Sequence, residues 1–300
     1  MSLNQEANRL STNHLLPGLQ ENAPKRLDIL KALFLLQITG NALAVVRTPA
    51  LPDALANGFG TVIPDQTSMP DPQILFVLKQ LATSYQVAPE AQDVDSAINN
   101  QKEIQDDLAN RRLLYAFCRL LEVGDTTANP NEFDGFLKLV NPANVVDKAG
   151  ATLTLKDLDI AKGNVRANNG APIIITTNQH GYEAIRTAHY DAGITPEIVE
   201  FIPLQDGPAQ KVMIYDGCPI LINDAQPEHV LGGNPVTNIW FTYTGPNGLF
   251  GIVPHLKDGS LFRKRQVTMP DGSETVGQIF LPIGLALATE SALAGITNIA

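Results

Sequence analysis

Side chains equipped for catalysis are few in this 300-residue chain, and their spacing suits none of the common reactions. His180 and His189 lie nine apart on one expected helix, which turns them to different faces. His14, His229 and His255 have no acidic or sulfur partner at metal-ligand spacing. Cys118 falls in an apolar helix and Cys218 precedes a proline, giving neither a disulfide framework nor a metal motif. Asp157 and Asp159 could pair as carboxylates, although an acid-enriched helix start accounts for them more simply. The chain holds no G-x-S-x-G elbow, no Gly-rich run before Lys-Ser/Thr and no H-E-x-x-H. Gly58-x-Gly60 lacks the third glycine of a dinucleotide loop and sits in a proline-rich stretch. The one dense basic run, Arg263-Lys264-Arg265, reads either as a solvated loop between strands or as a charged patch for acidic neighbours. The expectation is a chain without catalytic residues, metal or cofactor.

Composition agrees with a globular body. Apolar residues make up 44% and charged residues 17%, too apolar a mixture for a disordered chain. The net charge of −10 argues against attraction to nucleic acid or anionic membrane. No apolar run approaches the length of a membrane span, and MSLNQEANRL has no signal-peptide pattern.

The chain's longest run without Gly or Pro, from Glu90 to Val123 between Pro89 and Gly124, organises the rest. It predicts a helix over about 90–123, roughly 45 Å long at 1.5 Å per residue, ended by Gly124. Val94, Ile98, Ile104, Leu108 and Tyr115 approximate its apolar stripe, and Leu113 to Val123 should be buried. Before it, residues 1–23 are polar, aperiodic and broken by Pro17–Gly18. Asn22 and Pro24 suggest the start of a short helix carrying Leu27, Leu30, Phe34 and Ile38. Ala42 to Pro49 and the run from Gln73 read as strands around a Pro/Gly-rich tip, a long hairpin that cannot bury both faces itself. After Gly124, Thr154-x-x-Asp157 opens a helix, Ala171 to Thr177 is a strand, and Asn178 to Ala192 is another helix. Strands then continue to the end of the chain, punctuated by Asp-Gly turns.

This order of features carries a resemblance. Helix, then GDTTANPNEFDGFL (Gly124 to Leu137), is similar to the step after the spine helix in major capsid proteins of tailed double-stranded DNA phages, the Hong Kong 97-like fold. Here the Asp-Gly-Leu-like segment is Asp134–Gly135 followed by Phe136 and Leu137, and the likeness in order covers nearly the whole chain. It implies an α+β fold with an N-terminal arm over 1–23 and an extended loop over 41–75. It further implies a peripheral domain of 24–40, 76–147 and 236–288, and an axial domain of 148–235 and 289–300. The implied function is structural: subunits self-assembling into hexamers and pentamers of an icosahedral shell, in a virion assembled in the host cytoplasm, enclosing DNA without sequence-specific binding. Implied partners are other copies, a portal, a separate scaffolding protein and, in some shells, a cement protein; if Met1 is the true start, no large scaffold domain is fused. Contacts between subunits are expected at Phe59, Val62 and Ile63 on the loop tip and at Arg263, Lys264 and Arg265. Encapsulins, cellular compartments enclosing enzyme cargo, share the fold but usually lack so long an arm.

Some members of that family join a loop lysine to a neighbour's asparagine. The hairpin here, Asn41 to Leu78, has Arg47 as its sole basic residue, and Lys79 lies at its base. Arginine stays protonated and is no amine nucleophile, so non-covalent locking is expected.

Overall fold

The computed structural model describes residues 26–47, 73–87, 101–165, 173–201, 210–255, 261–268 and 275–300. In chain order the strands open with β1 (Leu35–Ile38), β2 (Ala42–Val45), β3 (Ile74–Val77) and β4 (Lys79–Val87). Then come α1 (Gln101–Val123), α2 (Phe136–Leu139), β5 (Val145–Asp147), α3 (Leu155–Asn164), β6 (Ile173–Thr177) and α4 (Gln179–Asp191). The rest is β7 (Glu197–Phe201), β8 (Gln210–Tyr215), β9 (Cys218–Ile222), β10 (His229–Leu231) and β11 (Asn234–Tyr243). It closes with β12 (Leu249–Pro254), β13 (Arg263–Thr268), β14 (Thr275–Leu287) and β15 (Leu293–Ile299).

Two sheets share one core. The first runs β1-β12-β14-β13, with β4 also on β14; the second runs β5-β15-β11-β6-β9-β8-β7, with β10 on β11. β4 and β14 form the longest ladder, Lys79–Val87 against Thr275–Ile283, and α1 lies along them. Tyr85 on β4 donates a short hydrogen bond to Asp106 of α1, and Lys264 on β13 pairs with the same carboxylate at 3.1 Å. The expected long hairpin is present at its root, where β2 and β3 pair antiparallel from Ala42↔Val77 to Val45↔Ile74. Its tip, with Phe59, Val62 and Ile63, lies outside the described residues, as do residues 1–25 and 88–100.

Three sequence expectations need correction. The short helix through Leu27 and Ile38 is instead a 3-10 turn, Asp28–Lys31, followed by strand β1. The apolar run of Leu33 to Ile38 finds a parallel partner in Gly251–Pro254, and this long-range ladder overrides local helix preference. Gly251 permits it, because a Cβ there would lie 2.6 Å from a methyl of Leu35. Next, the buried apolar face of α1 is Ala109, Leu113, Phe117, Cys118, Leu120 and Leu121, whereas Ile104, Leu108 and Tyr115 are half-buried beside it. Ala109 completes the i, i+4 rhythm but is too weakly apolar to mark it. Finally, the basic run is not a loop between strands but part of strand β13, paired residue for residue with β14.

The stretch expected as a unit from 236 to 288 contributes to both sheets: β11 belongs to the second, and β12 to β14 belong to the first. Likewise β5 pairs with β15 in the second sheet, ahead of the expected boundary at 148.

The end of α1 is closed backbone to backbone. Gly124 N bonds Leu120 O at 3.0 Å, and Gly135 N bonds Gly124 O at 2.8 Å. Inside the turn, Asp134 accepts from Thr126 N at 2.8 Å and Thr126 Oγ1 at 2.7 Å. A Cβ on Gly135 would lie 2.6 Å from Leu120 O and 2.7 Å from Glu122 O. Rigid carbonyls cannot yield that space. Gly135→Ala should therefore destabilise by about 2 kcal/mol or more, whereas Gly163→Ala, in α3 with nothing within 4 Å of the new Cβ, should stabilise by up to about 1 kcal/mol. Chemical denaturation of the two variants checks the contrast, and equal effects would contradict the packing of this turn.

Candidate functional site

The residues that could have done chemistry are dispersed into structural roles. His189 is buried, with Nδ1 2.8 Å from Ile185 O and its ring edge-on to Tyr215 at 5.6 Å. His180, on the same helix, lies 3.7 Å from Glu228. His255 contacts Gln37 at 3.1 Å, and His14 lies outside the described residues. Asp157 accepts from Thr154 N at 2.9 Å and Thr154 Oγ1 at 2.7 Å, closing the expected cap of α3, and pairs with Lys148 at 2.8 Å. Asp159 instead accepts from Tyr215 Oη at 2.5 Å, so the two carboxylates are not a catalytic pair. Burial pushes the Cys118 thiol up to about 12 and raises that of Cys218, leaving both without thiolate character near neutral pH. Among the described residues no cluster of three or more His, Cys, Asp or Glu could hold a metal ion, and no helix is long and apolar enough to cross a membrane.

What remains is surface that the fold leaves uncovered. Val46, Leu75 and Val77 are exposed around the root of the β2–β3 hairpin. Ile198 and Val199 are exposed on β7, an end strand of the second sheet among the described residues, and Ile194 just before it. Val230 and Leu231 are exposed on β10. Sheet edges of this kind invite pairing with another chain unless charge or bulges block them. β13 is the corresponding edge of the first sheet. Lys264 is used within the chain, on Asp106, while Arg263 and Arg265 project from the other face of the strand without a partner among the described residues.

The hairpin root is tied down by Arg47. Its Nε donates to Ala288 O at 3.1 Å, one terminal nitrogen to Leu287 O at 2.8 Å, and the other to Glu290 Oε1 at 2.9 Å. Glu290 Oε2 in turn accepts from Asn141 Nδ2 at 2.7 Å. A planar guanidinium presents its donors in a rigid fork, which suits three acceptors spread around it. This clasp fixes the hairpin to the point where the chain passes from β14 to β15.

Sequence reasoning also missed the joint between α1 and the second sheet. Glu122 is 1% exposed, and its Oε1 accepts from Asn238 Nδ2 at 2.6 Å and Trp240 Nε1 at 3.2 Å. Its Oε2 has no hydrogen-bond partner among the described residues. A signal was available, since an acid in the last turn of a helix opposes the helix dipole and needs a reason. Burial, only partly offset by the two hydrogen bonds, pushes the carboxyl up to about 7. Because the folded value exceeds that of an exposed glutamate, folding favours the protonated form, so this contribution is full below about pH 4.5 and lost as pH rises through 7. Glu122→Gln keeps an acceptor for both donors and removes the titration. It should raise stability at pH 8 by an amount on the order of 1–3 kcal/mol and change little at pH 4.5, as read from urea midpoints at the two pH values.

The chain matches no protein-family model and no curated protein. Among solved structures it is similar to the holo-SrpI encapsulin complex from Synechococcus elongatus PCC 7942, at 17% identity and a TM-score of 0.75, covering 98% of this chain and 95% of that one. It is similar also to the capsid of a native GTA particle (14% identity, TM-score 0.68, 96% and 95% covered). Mycobacterium phage Bobi gives 12% identity and a TM-score of 0.66, with 98% and 97% covered. The chain has the Hong Kong 97-like fold.

Proposed function

We propose that this chain, having the Hong Kong 97-like fold, is the subunit of a self-assembling icosahedral shell, and specifically a major capsid protein enclosing double-stranded DNA. The observation that carries the reading is end-to-end likeness to shell proteins, with 95% or more of each chain covered, in a chain whose candidate chemical groups are dispersed. Residues 1–23 would act as an arm, the hairpin over 41–75 as an extended loop laid on a neighbour through Phe59, Val62 and Ile63, and the open edges β7 and β13 as lateral contacts. Arg263 and Arg265 would meet the acidic surface of another copy, and Lys264 would hold their strand against α1. Several modest interfaces per subunit sum to a stable shell by effective concentration. A subunit charge of −10 suits a wall that confines DNA without adhering to it. Partners beyond other copies would be a portal, a separate scaffolding protein and, in a decorated shell, a cement protein.

A second reading is an encapsulin-like compartment with protein cargo. It is favoured by the SrpI encapsulin match, whose TM-score of 0.75 exceeds those of the GTA capsid and of Mycobacterium phage Bobi. Electron microscopy of the expressed protein, with nucleic acid and protein content measured in purified particles, tests both. Angular shells with packaged DNA, when co-expressed with a portal and packaging motor, support the first; shells filled with a host enzyme support the second; soluble subunits without shells overturn both. The double variant Arg263→Glu/Arg265→Glu should lower shell yield several-fold with the melting temperature of the subunit unchanged. Wild-type yield would refute the contact.

Non-covalent locking is proposed for the finished shell. Lys79 Nζ is 2.5 Å from Pro130 O, held against the body at the foot of the hairpin. Particles boiled in detergent and reductant should give one band at 32.3 kDa. A ladder of cross-linked subunits would contradict this.

A further inference from the structure

Two surfaces of this chain carry complementary chemistry and cannot meet within one subunit. The first is a cavity of about 610 Å³ at the end of α1, within the size range of ligand sites. Its wall is apolar at Val123, Val140 and Trp240, and Leu137, which also lines it, is 47% exposed. Among the described residues no lysine or arginine lines it, whereas Asp147 and Glu228 both do. Asp147 Oδ1 accepts from Asn298 Nδ2 at 2.8 Å and from Ala149 N at 2.9 Å, which holds the carboxyl below the usual aspartate range. Glu228 Oε1 accepts from Asn178 Nδ2 at 3.4 Å and lies 3.7 Å from His180 Nδ1. His229, the remaining titratable group of the lining, is turned to Asn298 Oδ1, 2.6 Å from its Nε2. The second oxygen of each carboxylate has no partner among the described residues.

The second surface is one face of β13. Side chains alternate along a strand, so Arg263, Arg265 and Val267 share a face, opposite Lys264. All three are exposed. Neighbours on that face stand about 7 Å apart, so two cations and an apolar side chain form a row about 14 Å long. The helix keeps the two surfaces apart. Lys264 is fixed to Asp106, and the cavity opens at Val123 near the far end of α1. Asp106 and Val123 are separated by about 25 Å at 1.5 Å rise per residue, too far for a side chain to bridge. In a chain of net charge −10, two copies repel over much of their surface, so a cationic stripe directs which faces approach.

We propose that the face of β13 carrying Arg263, Arg265 and Val267 docks on this cavity of a second copy, with Val267 against the apolar wall beside Leu137 and Arg265 on Glu228 at the rim. The inference rests on the shell reading and names the acidic surface that the basic strand meets. The contact joins two different patches and is therefore head-to-tail, the kind a rotational ring repeats. A guanidinium donates charge-assisted hydrogen bonds to a carboxylate oxygen that is still free.

The experiment is disulfide trapping in particles, made once microscopy has shown whether the wild type forms shells. Leu137 and Val267 are both exposed, and the native Cys118 and Cys218 are buried. Subunits carrying Leu137→Cys with Val267→Cys should run, under mild oxidant, as a ladder of linked chains that collapses to one band with reductant. An equal mixture of the two single variants should give linked dimers and nothing larger, and it carries the test if the double variant does not assemble. Glu228→Lys added to the double variant should slow linking on the order of tenfold, and Arg265→Glu added with it should restore the rate. Shells without linked chains overturn the contact and leave the shell reading standing. Links within either single variant alone, or a rate unmoved by Glu228→Lys, overturn the contact as well. A wild type that forms no shells overturns the shell reading and this contact with it.

Discussion

The fold depends on one close approach, that of the backbone after α1 to the last turn of the same helix. Two residues without side chains, Gly124 and Gly135, let a carbonyl and an amide meet at 2.8 Å where any Cβ would collide. That approach aims the aromatic residues on either side of the turn. Phe136 is brought against Trp240, ring centres 5.7 Å apart, and Phe133 against Phe117 at the same separation. Trp240 in turn lies over Gly295 of β15, whose own Cβ would stand 2.5 Å from the indole. Helix, turn, β11 and β15 are thus stacked through absent side chains as much as through present ones. Each large ring buried in this way contributes roughly 1.5–3 kcal/mol, provided the backbone can come close enough to bury it.

A joint of this kind also explains why a carboxylate is tolerated at its centre. Glu122 opposes the dipole of its own helix and is desolvated, and an apolar residue of its size would fit the core at lower cost. It supplies a single oxygen to two donors on neighbouring positions of one strand face, Asn238 and Trp240. Apolar packing would allow α1 to slide along β11; these two hydrogen bonds permit one register.

How much of this is legible in the sequence depends on where the determining contacts lie. The end of α1 at Gly124, the cap Thr154–Asp157 and the boundaries of α4 are local, set by residues within a turn of one another, and the sequence places them correctly. β1 reads as helix because its partner Gly251–Pro254 lies more than two hundred residues away. Arg263-Lys264-Arg265 looks like loop because charge is common in loops, yet alternation sends Lys264 toward Asp106 and its neighbours outward. The clasp of Arg47 cannot be foreseen at all. Two of its acceptors are backbone carbonyls, which no side-chain pattern announces.

The same distinction separates body from surface. Residues that set the core are glycines, apolar runs and caps, and their types speak for themselves. Residues that would meet another copy, such as Ile198, Val199 and Val230, look in sequence like ordinary strand residues destined for burial. Only the topology, which leaves β7 at a sheet edge and β10 on the flank of β11, shows that they stay exposed among the described residues. A monomer gains nothing from apolar side chains on an open edge and risks irregular pairing there. An edge that carries Ile198 and Val199 between the exposed Glu197 and Glu200 on β7, and is basic on β13, restricts which surfaces can meet.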